Sequence, residues 1–103
     1  MKKEVTQLWG TAIDCPCCLG NNLHQKSVSV FFRNEDSPDG IFKKVDLTGV
    51  EYAHPSKNPS PRRDGMLISF FCETCDSDPE LAIYQHKGST YLEWHSVRTK
   101  VVA

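Results

Sequence analysis

Between Lys26 and Arg33 apolar and polar residues alternate, and Ser27, Val28, Ser29, Val30, Phe31 and Phe32 are rich in the β-branched and aromatic types that favour a pleated surface. This segment predicts a strand whose Val28, Val30 and Phe32 share one face, the face expected to meet the core. Ile41 to Leu47 predicts a second strand, and Thr48 to Tyr52 a short third with Val50 and Tyr52 on one face. Met66 to Phe71 is apolar apart from Ser69, the pattern of a central strand covered on both faces. Near the end, Leu81 to Tyr84 and Thr90 to Trp94 flank Gln85-His86-Lys87-Gly88-Ser89. Asp78-Pro79-Glu80 could instead open a helical turn, but glycine in the intervening turn favours a hairpin, with Leu92 and Trp94 facing the core and Glu93 and His95 turned away.

Two loops separate these segments. Asn34-Glu35-Asp36-Ser37-Pro38-Asp39-Gly40 has the residue types of a solvated turn, and its carboxylates lack the alternating ligands, sixth-position glycine and twelfth-position glutamate of a calcium loop. His54 to Gly65 carries Pro55, Pro59 and Pro61, which preclude regular pairing and predict a stiff, extended connection. Lys57, Arg62 and Arg63 make that connection basic. Paired guanidinium groups on an ordered loop suit an anion, while the plainer reading is a solvated loop whose arginines pair with neighbours such as Asp64.

Five cysteines change the picture most. Cys15-Pro16-Cys17-Cys18 and Cys72-Glu73-Thr74-Cys75 each place two thiols three positions apart on turn-prone segments, so that one tight turn can aim both sulfurs at a single point. Cys15, Cys18, Cys72 and Cys75 are the predicted ligands of one structural Zn²⁺, although four thiolates would also hold iron. In the first motif Pro16 presets φ, and Gly20 is expected to take the positive φ that closes the turn. In the second, Asp76 follows in place of glycine and tolerates that conformation better than most residues. Cys17 is then a spare thiol, expected to pack as a small apolar residue beneath the turn rather than to react. Neither motif opens a helix after a strand as a dithiol redox site would, and with the metal shell filled no position remains for an activated water.

The run Cys15-Pro16-Cys17-Cys18-Leu19-Gly20 resembles the knuckle of the zinc-ribbon superfamily. That resemblance implies a mainly β fold: a small antiparallel sheet of five to seven strands with a split zinc ribbon, two C-x-x-C knuckles separated by a long insertion. The stretches Arg62-Arg63-Asp64-Gly65, Phe71-Cys72-Glu73-Thr74-Cys75 and Gln85-His86-Lys87-Gly88 also look like small bacterial or phage-borne proteins of uncharacterised function, a likeness that brings no activity with it.

At 103 residues the chain is expected to be one domain, 1–103, with 1–4 and 99–103 as flexible ends. A chain of this length buries only about two-thirds of its unfolded surface, so a metal closing the long loop from Cys18 to Cys72 adds needed stability. Trp9, in the mixed stretch from Val5 to Ile13, is expected to pack near the metal. The formal charge of −1 gives no strong field for nucleic acid. No apolar run spans a bilayer, and Met1-Lys2-Lys3 is followed by polar residues, which predicts cytoplasmic residence. His24, His54, His86 and His95 fit no catalytic motif. The expected function is therefore a non-catalytic module for a protein partner, with oligomeric state open. A nucleic-acid-binding ribbon is the alternative, using Lys57, Arg62, Arg63 and Lys87 on phosphates and Phe31 or Tyr91 for stacking.

Overall fold

The structure is a computed structural model that describes residues 10–95. Trp9 and the two ends expected to be flexible lie outside the described residues. Six strands form one antiparallel sheet: β1 (Leu23–Arg33), β2 (Gly40–Asp46), β3 (Gly49–Tyr52), β4 (Gly65–Cys72), β5 (Glu80–His86) and β6 (Ser89–His95). Their order across the sheet is β3-β2-β1-β4-β5-β6, which places the apolar β4 in the middle as its composition demands. The mainly β architecture read from the sequence is the one observed, without an α-helix among the described residues.

Local chemistry sets the connections. In the β5–β6 hairpin Lys87 and Gly88 both adopt positive φ, +48° and +81°, the paired left-handed geometry that matches strand twist in two-residue hairpins. The proline-rich connection from β3 to β4 is not uniformly extended: Pro55–Lys57 form one 3₁₀ turn, capped by His54 Nδ1, which accepts from the Ser56 amide. The connection is pinned to the sheet by buried Ser60, whose hydroxyl donates to the Gln85 carbonyl at 2.7 Å and accepts from the Arg63 amide at 2.9 Å. Gly65 lets it pass closely, because a Cβ there would meet Asn58 Oδ1 and Pro59.

This connection decides which face of the sheet is core. Phe31 and Phe42 lie opposite each other in the β1–β2 register with ring centroids 6.2 Å apart, and with Ala53, Leu67 and Ala82 they form the buried cluster against which Tyr84 packs. The face of β1 carrying Val28, Val30 and Phe32, expected to be core, is the other one. Phe32 is exposed and the two valines are half-buried, because the loop that covers the sheet crosses the Phe31 side. The alternation in β6 is as expected, but Leu92 too is exposed, on that same open face, while Trp94 is half-buried and meets Phe70 edge-on.

The register shows how apolar the open face is. Val50, Val45, Val28, Ile68, Leu81 and Trp94 form one cross-strand row over all six strands, exposed at Val50 and Val45, half-buried at Val28, Ile68 and Trp94, and closed at Leu81, which is buried as Phe70 is beside Trp94. The next row is Tyr52, Lys43, Val30, Met66, Ile83 and Leu92, with a single charge.

Candidate metal centre

The two cysteine motifs fold into the same turn. In the first, the Cys15 amide donates to the Gly20 carbonyl at 2.7 Å and the Leu19 amide to the Cys15 carbonyl at 2.9 Å. In the second, the Cys72 amide donates to the Ser77 carbonyl and the Asp76 amide to the Cys72 carbonyl, each at 3.0 Å. The residue after each second cysteine is left-handed, Leu19 at φ +64° and Asp76 at +57°. Asp76 was expected there. Gly20 was expected to supply the positive φ of the first turn, but Leu19 supplies it; Gly20 instead lies against the sulfur, where a Cβ would stand 3.3 Å from Cys18 Sγ.

These turns bring all four predicted ligands together. The sulfurs of Cys15, Cys18, Cys72 and Cys75 lie within 4.8 Å of one another. Cys15 Sγ is 3.8 Å from Cys75 Sγ, and Cys18 Sγ is 3.7 Å from Cys72 Sγ. Sulfurs placed tetrahedrally at about 2.3 Å from a central ion are about 3.8 Å apart, so the donor set and its spacing fit a metal such as zinc. Cys15 and Cys72 are fully buried and Cys18 and Cys75 half-buried, which limits solvent access to the site.

Hydrogen bonding is arranged for negative sulfur. The amides of Cys17 and Gly20 each approach a sulfur at 3.4 Å, those of Cys15 and Cys18 respectively. Ser77, fully buried, places its hydroxyl 3.0 Å from Cys75 Sγ and 3.4 Å from Cys15 Sγ. Burial pushes the Cys15 thiol up, but the Ser77 hydroxyl and the amides of Cys18 and Cys17 outweigh it and bring the group down to about 6. The Ser77 hydroxyl likewise holds Cys75 low. For Cys18 the Gly20 amide pulls down, yet burial and the three neighbouring sulfurs push the thiol to about 12. Four thiols sharing one point cannot all ionise unless a cation joins them. Ser77 left no signal in the sequence beyond its position two residues after a ligand.

The remaining candidates are placed as follows. Cys17 is exposed rather than packed beneath the turn, and its sulfur is not one of the four that cluster. His24, on β1, pairs with Glu73 between the second pair of cysteines at 2.8 Å. Arg62, Arg63 and Lys87 meet around a recess of about 90 Å³ that also includes Glu35 and His86. Arg62 is engaged there by Asp36, at 2.6 Å from Nη2 to Oδ2, with Glu35 at 3.8 Å, rather than by Asp64. Asp64 accepts instead from the Arg33 amide. Lys57 stands apart from that recess, lining another with Lys44 and His54. Phe31 is fully buried and cannot stack on a base, whereas Tyr91 is exposed and lies parallel to Tyr84 with centroids 5.7 Å apart.

Comparison with protein-family models, with curated proteins and with solved structures finds no match. Among the described residues no helix is long and apolar enough to cross a membrane.

Proposed function

We propose that this chain is a non-catalytic protein-interaction module of zinc-ribbon type, with one structural Zn²⁺ held by Cys15, Cys18, Cys72 and Cys75. Four protein thiolates complete a tetrahedral shell, so the ion would hold the fold rather than perform chemistry. Zinc is favoured by a set of four soft donors at tetrahedral spacing. The observation that carries the interaction reading is the apolar face of these two rows, exposed among the described residues at Val45, Val50, Tyr52 and Leu92, with Lys43 as its single charge. Contiguous apolar surface on this scale marks a binding face.

The nucleic-acid alternative draws on the recess formed by Arg62, Arg63 and Lys87, but Arg62 is already neutralised by Asp36 and Glu35 and the whole chain is acidic. The test is native mass spectrometry with metal analysis, followed by retention of the holo protein on single-stranded DNA in low salt. One zinc per chain and no retention are the expected results. Retention that falls steeply with salt and with Arg62→Ala/Arg63→Ala would replace the protein-interaction reading with the nucleic-acid one.

A further inference from the structure

We infer that the occupant of the open sheet face is a second copy of this chain, the two sheets stacking as a β-sandwich across a two-fold axis. The inference rests on the interaction-module reading and names its partner. A sheet covered on one side by a loop and apolar on the other is half of a two-layer structure, and the layer it lacks is another apolar surface.

Size is the first support. Phe32, Ile41, Val45, Val50, Tyr52 and Leu92, all on the open face, are each between 45% and 66% exposed. With the half-buried Val28, Val30, Met66, Ile68 and Ile83 they offer about 800 Å², the area that each partner contributes to a standard stable interface. Charge is the second. Neither row contains a carboxylate, and Asp64, beside Phe32 and Met66 at the rim of the face, is already engaged by the Arg33 amide, so the two rows present an apolar surface that a copy of itself can cover. A two-fold axis along the strands, between β1 and β4, seats β2 of one copy over β5 of the other. The lone cation, Lys43 of β2, then falls on opposite sides of the dimer in the two copies, and its stem can cover apolar surface while its ammonium reaches water. The symmetry thus removes the like-charge clash that the two rows could make.

The experiment is sedimentation velocity on the zinc-loaded protein across the micromolar range, with three single substitutions. Val45→Lys and Leu92→Glu put charges on the open face at positions already exposed. Leu47→Lys does so in the β2–β3 turn, where the side chain is 98% exposed and off the face. Zinc content and circular dichroism establish that each variant is folded, and because two face positions are used, failure of one variant to fold still leaves the other. The expected result is a dimer whose Kd rises at least tenfold with Val45→Lys and with Leu92→Glu and stays unchanged with Leu47→Lys. A folded wild-type monomer at every concentration overturns the inference, whether hydrogen exchange finds the face protected by other parts of the chain or open for a different protein. A dimer indifferent to both face substitutions overturns it as well. None of these outcomes bears on DNA retention, so the failure of this inference and of the interaction-module reading are told apart.

Discussion

Replacing Ser77 with alanine should weaken the metal site without unmaking the fold. The side chain is fully buried between two sulfurs, 3.0 Å from Cys75 and 3.4 Å from Cys15, and its hydroxyl has one proton to give, which the shorter distance assigns to Cys75. Alanine removes that donor and leaves a thiolate with one hydrogen bond fewer. A hydrogen bond to a charged group is worth about 1.5–3 kcal/mol, but a bound ion withdraws charge from the sulfur, so the lower end applies. About 1.4 kcal/mol corresponds to tenfold in affinity, the lower end of the range found for groups that support metal ligands from behind. Backbone bonding in the turn does not involve the hydroxyl, since the Ser77 carbonyl accepts from the Cys72 amide in either variant. Competition for zinc against a chromophoric chelator at neutral pH measures the change, with far-ultraviolet circular dichroism of the loaded forms as the control for folding. An affinity within a factor of two of wild type would refute the reasoning and mean that the hydroxyl only fills space.

Two further predictions concern the same region. Leu19 is three-quarters exposed and left-handed, a conformation that costs a branched residue about 1–2 kcal/mol, so Leu19→Gly should stabilise the loaded protein by about 0.5–1 kcal/mol once the greater freedom of the unfolded glycine is set against it. A lower denaturation midpoint in urea would show that the side chain makes a contact worth more than the strain. Zinc binding at pH 7 should release fewer than four protons, because Cys15, drawn down to about 6, is already largely ionised in the folded site whereas Cys18, at about 12, is not. Calorimetry in buffers of different ionisation enthalpy counts them, and a full four would mean that the turns assemble only with the metal.

The cysteine quartet was legible because ligand spacing is a local property: two residues between thiols define one turn, and two such turns define one tetrahedron. Strand positions were legible for a similar reason, since alternation and turn residues act over a few positions. Which face of β1 is core was not. Phe31 and Phe32 put one aromatic on each side, so the pattern of that strand is ambiguous, and the deciding influence is a connection from β3 to β4 that crosses the sheet from elsewhere in the chain. The same non-locality hid the partner of Arg62, a turn residue 26 positions earlier. Gly20 misled in a different way: there a Cβ would crowd the Cys18 sulfur at 3.3 Å, while the left-handed position falls one residue before it and is borne by leucine.

The metal site and the open face answer the same shortage. The buried apolar cluster consists of Phe31, Phe42, Ala53, Leu67 and Ala82, with Phe70 and Leu81 buried outside it, five large apolar side chains in a sheet of six strands. So small a core cannot by itself offset the conformational entropy of ordering the chain, which is about 1–2 kcal/mol per residue for the backbone alone. Zinc would add binding free energy at one end of the sheet, where Cys72 ends β4 and ties the central strand to the N-terminal knuckle. Among the described residues the other end is tied instead by hydrogen bonds, from Ser60 to the Gln85 carbonyl and from the Arg33 amide to Asp64, and by the Arg62–Asp36 ion pair. There β4 begins at Gly65 and Met66 beside the exposed Phe32 and Ile41, and the burial still missing is that of the open face. A second layer would supply it, adding stability that depends on protein concentration as the metal's contribution depends on free zinc. The two contributions should therefore be separable: at saturating zinc the melting temperature should rise with protein concentration in the wild type and stay level in Val45→Lys, and a wild-type melting temperature independent of concentration would place the missing stability elsewhere.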